Sequence, residues 1–270
     1  MSVNAQFPSH VKTRIAFVAE APSYEEVEQG IPLIGPSGKV FNQMLRTANM
    51  DRYEFYVGNV FDEQLPKNDV GNWCVDLAVA RSEGLTDLPP IGSKGFLKRE
   101  HRYHLDRLRD EMELVKPDVI VPLGGTALWA FLGIDQITQY RGTVNAAKHI
   151  VPGAKLLPTF HPEHVKRQWK YYPVVVGDFI KALREADIGP QIVLPKRELL
   201  LEPHLKDIEQ YMPRLLSSDL LSVDIETGWG QITCIGFAPD QEHAICIPFV
   251  DLRTPNRSYW SEEEELIAWN

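Results

Sequence analysis

Short apolar runs that end at polar or turn-forming residues recur along the first two thirds of the chain, and helical spacings separate them. The apolar run Ile15–Ala19 stops at Glu20, which predicts a buried strand that leads into a loop. Apolar positions in Ser37–Ala48 recur every three or four residues, which predicts a helix with one face on a sheet. The loop between them is rich in Gly and Pro and leaves backbone N–H groups free for a ligand.

The same alternation continues to about residue 186. Further strands are predicted at Glu54–Val60, Asp118–Leu123 and Lys155–Phe160, and further helices at Phe96–Val115, Thr126–Leu132 and Val174–Ala186. Strands that alternate with helices imply a parallel sheet covered on both faces. The sequence therefore predicts an α/β fold, a three-layer α/β/α sandwich with a mainly parallel four-stranded central sheet. Its ligand edge is predicted to bring together Glu20–Gly38, Asn59 and His161–Arg167.

The composition changes after Ile188. The stretch GPQIVLPKRELLLEP contains three prolines and predicts a linker. Apolar strands are predicted beyond it in LLSVDIE, QITCIGFAP and HAICIPFV. The predicted organisation is a first domain over 1–187, a linker and connecting helix over 188–216, and part of a second α/β domain over 217–270.

The net charge of −9 is unevenly distributed. Residues 1–188 carry 22 Lys and Arg against 23 Asp and Glu, whereas residues 189–270 carry 6 against 14. The acidity therefore belongs to the second part and does not exclude nucleic-acid binding by the first. The basic segment Lys94–Arg109 is interpreted as a solvated helix face, with contact to a phosphate backbone as the alternative.

Cysteine content and hydropathy indicate the compartment. The three cysteines include no C-x-x-C pair, so neither a disulfide framework nor a zinc site is indicated, and a reducing cytoplasm fits. The N-terminus has no signal pattern, and no apolar run approaches the roughly 18 residues needed to cross a bilayer. The prediction is a cytoplasmic protein, in the host cytoplasm if it is phage-encoded, with no membrane partner.

The loop motif resembles a known family. Glu20-Ala21-Pro22, Glu26 and Gly30-x-Pro32-x-x-Gly35-x-x-Gly38 resemble the first motif of the uracil-DNA glycosylase superfamily, in its family 4 branch. The later segments that look like the same branch are VKPDVIVPLGG from Val115, ITQYRG from Ile137 and FHP from Phe160. The resemblance spans about Ile15–Ala186 and implies excision of uracil, or a related modified pyrimidine, from DNA.

The chemistry of that reaction suits the residue types at the predicted edge. Breaking a uracil N-glycosidic bond builds positive charge on the sugar and negative charge on the base, so donors are needed at the base oxygens and an acceptor near the water. The resemblance assigns the donor role to His161. Glu26 and Glu20 are the acidic candidates, with Glu26 favoured because its place matches the family's second acid. Asn59 can donate and accept along one edge of uracil and so exclude cytosine, although a turn-capping role is equally common.

The resemblance also implies contacts to the flipped base and to DNA. Ala21 and Leu33 belong to the base pocket, where Leu33 replaces a Phe that stacks on the base. Val165 stands where a Leu wedges into the duplex to fill the gap left by the base. The remaining expected DNA contacts are Ser37, His164, Lys166 and Arg167.

One departure from the family concerns a cofactor. The branch ligates an iron–sulfur cluster through four cysteines, but here only Cys74 lies near the expected region. Val60-Phe61-Asp62 follows the second strand in place of a Lys-Cys pair. We therefore expect no cluster and no other cofactor in the first domain, and a loop stabilised in another way.

The second domain carries a different acidic motif. Asp224 and Glu226 lie two residues apart on a predicted strand, so both point to one face and could hold divalent cations. With the strands that follow, they resemble the opening of the DEDD-type 3′–5′ exonuclease domain of family A DNA polymerases, which is RNase H-like. Mg²⁺ is expected for a complete domain. Because the sequence ends at Asn270 before the later acidic motifs, we expect an incomplete ligand set and no exonuclease activity.

Two functions remain open. In the first, a working glycosylase lies at the N-terminus of a replicative, phage-type DNA polymerase, with single-stranded or template DNA as partner and replication proteins as possible partners. In the second, the module is catalytically inactive and senses template bases or docks replication proteins. Asn59 and His161 favour the first hypothesis, whereas Leu33 and the expected absence of the cluster favour the second.

Overall fold

The computed structural model describes residues 2–9, 14–193, 196–251 and 258–261 of the 270-residue chain. The chain divides into two compact units, Met1–Ile192 and Val193–Asn270. No helix in the described ranges is long and apolar enough to span a bilayer.

The first unit alternates strands and helices from Ile15 onward. Its strands are β1 Ile15–Ala19, β2 Tyr56–Asn59, β3 Cys74–Val75, β4 Phe96–Leu97, β5 Val119–Pro122, β6 Asn145–Ala146 and β7 Lys155–Leu156. Its helices are α1 Tyr24–Gln29, α2 Pro36–Thr47, α3 Leu77–Glu83, α4 Tyr103–Val115, α5 Gly125–Leu132, α6 Ile137–Tyr140, α7 Pro162–Arg167 and α8 Tyr172–Ile188. Short 3₁₀ turns join several of them.

The central sheet of this unit has the order β2-β1-β5-β7-β6 among the described residues. The pairs β2–β1, β1–β5 and β5–β7 are parallel, and β6 pairs with β7 in the antiparallel sense. Alternate residues of β1 enter two separate apolar clusters, Ala16 and Val18 in one and Phe17 in the other. The sheet is thus covered on both faces, which confirms the predicted α/β class and mainly parallel sheet. The antiparallel β6 was not predicted.

The long helix predicted over Phe96–Val115 is wrong in its first part. Phe96 pairs with Val75 as strand, and α4 begins only at Tyr103. Gly95 has a φ of 100°, and a Cβ there would lie 2.3 Å from the Val75 carbonyl oxygen. The chain therefore runs extended beside β3 at this point because only glycine permits the close approach.

The second unit contains β8 Glu198–Leu200, α9 Leu205–Leu216, β9 Ser222–Gly228, β10 Gln231–Ala238 and β11 His243–Pro248. The sheet order is β8-β11-β10-β9, with β9, β10 and β11 antiparallel and β8 parallel to β11. Residues 198–216, which belong to the predicted linker and connecting helix, form the strand β8 and the helix α9, and β8 pairs with β11. Residues 252–257 and 262–270 of the predicted second domain lie outside the described residues.

Candidate active site

The loop that follows β1 is folded by residues with left-handed backbone conformations. Helix α1 ends at Gly30, which has φ of 69° and donates its N–H to the Glu26 carbonyl. Leu33 has φ of 50°, and a Cβ on Gly38 would lie 2.1 Å from the Leu33 carbonyl. The glycine spacing therefore lets the loop return against the first turn of α2.

Glu26 lies inside this loop. The residue is 2% exposed, and backbone amides donate to its carboxylate from Ser23, Leu33, Ile34 and Gly35. Burial raises the pKa of Glu26, and the amide hydrogen bonds oppose that shift. Its oxygens are thus engaged by the loop backbone, and the carboxylate joins the two ends of the loop.

Arg52 holds the same loop by donating to backbone carbonyl groups of the loop. Its Nη1 donates to the Leu33 carbonyl at 2.7 Å, and its Nη2 donates to the Pro32 carbonyl. Its Nε donates to Gln6 Oε1 at 2.8 Å, which fixes the guanidinium plane. The position of Leu33 is therefore set from both Glu26 and Arg52.

Glu20 has a different environment from Glu26. It comes directly after β1, and Thr126 Oγ1 donates to its Oε1 at 2.7 Å. Burial raises the pKa of Glu20, and the Thr126 hydrogen bond partly opposes that shift. This carboxylate keeps acceptor capacity for a further donor, such as a water molecule.

His161 is held as a neutral donor. Its Nδ1 accepts the Glu163 N–H at 3.1 Å, at the start of α7. Burial lowers the pKa of His161 to about 4, against the opposing charge of Glu163. The imidazole is therefore neutral near pH 7, and because Nδ1 accepts, the ring proton lies on Nε2.

A cleft of about 500 Å³ gathers these groups. All but two of the glycosylase-type residues predicted from the sequence line it. The residues that do so are Glu20, Ala21, Glu26, Leu33, Ser37, His161, His164, Lys166 and Arg167. A second groove, of about 580 Å³, lies along 42–54 and contains none of them. The cleft therefore combines a buried acid, a half-buried acid, a neutral imidazole and basic side chains.

Asn59, which does not line this cleft, ends β2 beside the end of β1. Its register partner is Ala19, and the residue is 3% exposed. Neither Nδ2 nor Oδ1 of its side chain has a hydrogen-bond partner among the described residues. A buried amide without partners costs about 1–3 kcal/mol, which marks this side chain as a candidate for pairing with a polar ligand.

Comparison with known proteins identifies the family of this fold. Residues 6–184 match the uracil DNA glycosylase superfamily. The chain belongs to this superfamily. A type-4 uracil-DNA glycosylase of Thermotoga maritima is 31% identical over 160 residues, which cover 58% of this chain and 69% of that protein.

Two other relatives extend the comparison. A type-4 uracil-DNA glycosylase of Sulfurisphaera tokodaii is 25% identical over 186 residues, covering 67% of this chain and 73% of that protein. A DNA polymerase of Bacillus phage SP01 is 25% identical over 134 residues, covering 47% of this chain and only 14% of that protein. The glycosylase relationship is therefore broad, whereas the polymerase relationship covers a small part of a long protein.

Val165 does not have the surface position expected of a wedge in this glycosylase fold. It is 0% exposed and packs in the apolar cluster that includes Val175. The expectation that Val165 enters the DNA duplex is therefore wrong, because a wedge must reach beyond the protein surface. Its neighbour His164 lines the cleft and stacks on Phe160 with ring centroids 4.9 Å apart.

Lys166 and Arg167 present positive charge at the cleft. Their side chains are 41% and 71% exposed, and both bind the Glu163 carboxylate, at 2.8 and 3.2 Å. The two cations outweigh burial and lower the pKa of Glu163. The glycosylase cleft thus has a cationic rim beside His161.

The basic segment Lys94–Arg109 is not a purely solvated face. Arg102 donates to both carboxylate oxygens of Asp87, at 2.7 and 2.8 Å. His104 is 0% exposed, and Arg107 donates to two backbone carbonyls. The inward members of this segment therefore serve internal contacts.

Sequence reasoning missed two residues that shape the cleft, Thr126 and Arg52. Thr126 lies just after β5, so the strand-end argument that singled out Asn59 applies to it as well. Arg52 lies in a 3₁₀ turn before β2, outside every motif, and nothing in the sequence marks it.

The glycosylase unit does not fit a four-cysteine iron–sulfur cluster. Residues 1–192 contain one cysteine, Cys74, whereas such a cluster takes four thiolates. Cys74 Sγ lies 3.4 Å from the Val70 carbonyl oxygen, and burial raises the pKa of the thiol to about 11. A single thiol cannot hold such a cluster.

The acidic pair of the second unit lies on β9. Asp224 and Glu226 are both exposed, and their register partners on β10 are Gly236 and Cys234. Within the described ranges, no group of three or more His, Cys, Asp or Glu side chains is arranged to hold a metal ion. The pair shares one face of the strand, as strand geometry requires, and no described residue completes a metal-binding group with it.

Proposed function

We propose that the cleft excises uracil, or a closely related pyrimidine, from DNA by hydrolysing its N-glycosidic bond. The observation that carries this proposal is the neutral His161, whose Nδ1 accepts the Glu163 N–H and whose Nε2 is left as the donor. A neutral donor suits the reaction because the departing base gains negative charge only as the bond breaks.

In the proposed reaction, a water oxygen bonds to C1′ of the sugar while the N1–C1′ bond breaks. The bonding electrons leave with the base, and His161 Nε2–H donates to the base oxygen where negative charge accumulates. Glu20 accepts a hydrogen bond from the water, takes its proton as the C1′–O bond forms, and opposes the positive charge on the sugar. Thr126 holds Glu20 in place for this role.

Glu26, the acid favoured from the sequence, has a different proposed role. Its carboxylate accepts from backbone amides on both sides of the loop and is almost fully buried. We therefore assign it to holding the loop that carries Leu33 and Ala21 against the base, and we assign the water to Glu20. Both residues remain essential under this proposal, for different physical reasons.

The base is read by Asn59 in this proposal. Its amide can donate to a uracil carbonyl and accept from the ring N–H, a pattern that the exocyclic amine of cytosine reverses. Ser37, His164, Lys166 and Arg167 contact the DNA strand on either side of the flipped nucleotide. The two cations supply the salt-dependent part of the affinity.

A finer proposal places this glycosylase unit in a DNA polymerase that acts during replication. It is supported by the partial similarity to the phage SP01 polymerase and by the strands β9–β11, which follow one another as an antiparallel series carrying two acids. Under this proposal the substrate is template or single-stranded DNA, and a complete exonuclease domain binds Mg²⁺. Pull-down of labelled primer–template by the intact protein, compared with duplex DNA, tests it.

The main proposal is tested with a single-stranded oligonucleotide that contains one uracil. The purified chain is incubated with it, and alkali then cuts the strand at abasic sites. We expect cleavage at the uracil and none at cytosine or thymine. If the chain binds the oligonucleotide but leaves uracil in place in every context, the catalytically inactive, base-sensing function replaces this proposal.

A further inference from the structure

The backbone of Asn59 lies at an open edge of the central sheet. β2 is the last strand on its side, and Val57 exchanges two backbone hydrogen bonds with Gln6, at 2.8 and 3.0 Å. Two residues later the Asn59 carbonyl points to the same side, because alternate residues of a strand share their hydrogen-bonding direction. There Arg107 of α4 replaces a neighbouring strand: its Nη2 donates to the carbonyls of Asn59 at 2.7 Å and Val60 at 3.0 Å.

Arg107 is itself fixed by two half-buried acids, Glu111 and Asp62. Its Nη1 donates to Glu111 Oε2 at 2.5 Å, and the same oxygen accepts from Tyr56 Oη at 2.6 Å. Its Nε lies 3.8 Å from Asp62 Oδ2. The guanidinium is therefore held between two carboxylates and has little freedom to leave the two carbonyls.

Asp62 extends these contacts into a buried network. His104, 0% exposed, contacts Asp62 Oδ1 through Nδ1 at 2.5 Å. The His104 ring stacks on Trp73, with centroids 5.2 Å apart and planes 12° apart. We call Asp62, His104, Arg107 and Glu111 the α4 network. The α4 network contacts the segment that begins at Asn59, at the end of β2. This is the region where the family resemblance implied cysteine ligands of a cluster.

The side chain of Asn59 depends on this backbone support. Neither of its amide atoms has a partner among the described residues, so no side-chain hydrogen bond fixes its direction. The position of its Cα–Cβ bond, set by the carbonyl that Arg107 holds, determines where the amide meets a base. A misplacement of about 1 Å costs on the order of 10²-fold in rate.

We propose that Arg107 is the residue that positions Asn59 for reading the base, and that the α4 network supports the segment after β2 in place of a metal cluster. This inference rests on the proposed function, because it assigns the positioning of a group that reads uracil. Arg107 acts through the Asn59 carbonyl and contacts no substrate in this scheme.

The test measures uracil release under single-turnover conditions for Asn59→Ala, Arg107→Gln and the double variant in the full chain. We expect Arg107→Gln to lower the rate by about 10–100-fold, with substrate affinity changed by less than about threefold. The double variant is expected to be no more than about threefold slower than Asn59→Ala, because both changes remove one function. Arg107→Lys, which keeps one donor group, is expected to recover part of the rate.

Arg102→Gln is the matched control. Arg102 lies just before α4 and also holds a carbonyl, that of Leu85, together with Asp87, so the partners of its hydrogen bonds lie outside 59–62. All assays are run about 20 °C below the lowest unfolding midpoint. If Arg107→Gln does not fold, Arg107→Lys replaces it in the cycle with Asn59→Ala.

The outcomes separate this inference from the proposed function. Near-wild-type rates in the Arg107 variants, or losses that multiply with Asn59→Ala, would overturn the positioning role while leaving uracil excision intact. If the unmodified chain releases no uracil, a second measurement is made by NMR. It compares the shift of the Asn59 side-chain amide signal on adding free uracil in the unmodified chain with the shift in Arg107→Gln. A shift that is lost in the variant supports positioning in a base-sensing module, and no shift in the unmodified chain overturns both proposals.

Discussion

The two acidic pairs of this protein lie in opposite environments. Glu20 and Glu26 follow β1 and are enclosed by the first unit, where burial raises the pKa of both carboxyl groups. Asp224 and Glu226 lie on β9 of the second unit with both side chains exposed. Closely spaced carboxylates therefore do not make a site by themselves. What differs is the surrounding protein, which removes water and supplies directed donors in the first unit only.

Glu20 and Glu26 differ from each other in the hydrogen-bond donors that their carboxylates accept. Backbone amides occupy Glu26 from both ends of its loop, whereas one hydroxyl, that of Thr126, donates to Glu20. Of the two acids in one cleft, the one with fewer hydrogen-bond donors keeps the capacity to act on a substrate water.

The largest effect is expected at His161, the neutral hydrogen-bond donor in the cleft of the first unit. His161→Ala should lower single-turnover uracil release by about 10²–10³-fold, the usual cost of removing one donor to a developing negative charge. His149→Ala is the matched control, since it removes a histidine of the same unit outside the cleft. A loss below about fivefold for His161→Ala would mean that the cleft has another donor.

The next effect separates Glu20 from Glu26. Glu20→Gln should lower the rate by about 10²-fold with an unchanged unfolding midpoint, because it removes an acceptor for water but no loop contact. Glu26→Gln should lower the free energy of unfolding by about 2 kcal/mol, because an amide replaces an acceptor for several N–H donors. Thermal unfolding and single-turnover rates of both variants measure the difference.

The pH dependence sharpens the same contrast. The pKa of Glu20 is raised above 4.5, so its ionised form, and with it the rate, should be lost as the pH falls through a value above 4.5. His161, with a pKa of about 4, stays neutral across that range, so no inflection is expected near pH 6.5. The acid limb should disappear in Glu20→Gln. A limb centred near 6.5 would instead assign the titration to a histidine.

Local apolar patterning predicted the parts of the fold that depend on local sequence. The predicted strand Ile15–Ala19 coincides with β1, because an entirely apolar run between polar ends has one stable place in a covered sheet. The direction of Arg107 could not be predicted in this way. A polar stripe on a helix normally faces water, but here the open carbonyls of β2 lie against it. The predicted wedge role of Val165 was wrong for a similar reason. One face of the short helix α7 is covered by side chains of α2 and α8 in the core.

A smaller effect is expected at Cys74, the single cysteine of the first unit. Cys74→Ser should leave uracil release unchanged and lower the free energy of unfolding by less than about 1 kcal/mol, since one weak Sγ contact is lost. Iron analysis of the unmodified chain should find less than one atom per molecule. A stoichiometric brown chromophore that disappears in Cys74→Ser would show that ligands other than cysteine complete a metal site.

The smallest effect is expected at the exposed pair. Asp224→Asn and Glu226→Gln should each change the free energy of unfolding by no more than about 0.5 kcal/mol, because neither carboxylate is enclosed by the described residues. Two-metal hydrolysis needs further acidic ligands to hold ions about 3.5–4 Å apart, and the described ranges bring no third acid, His or Cys into such a group. We therefore expect the 270-residue chain to leave a 3′-labelled strand intact in millimolar Mg²⁺ or Mn²⁺. Progressive shortening of that strand, abolished by Asp224→Asn but not by Asp219→Asn, would contradict this and would place the exposed pair in the same class as Glu20 and Glu26.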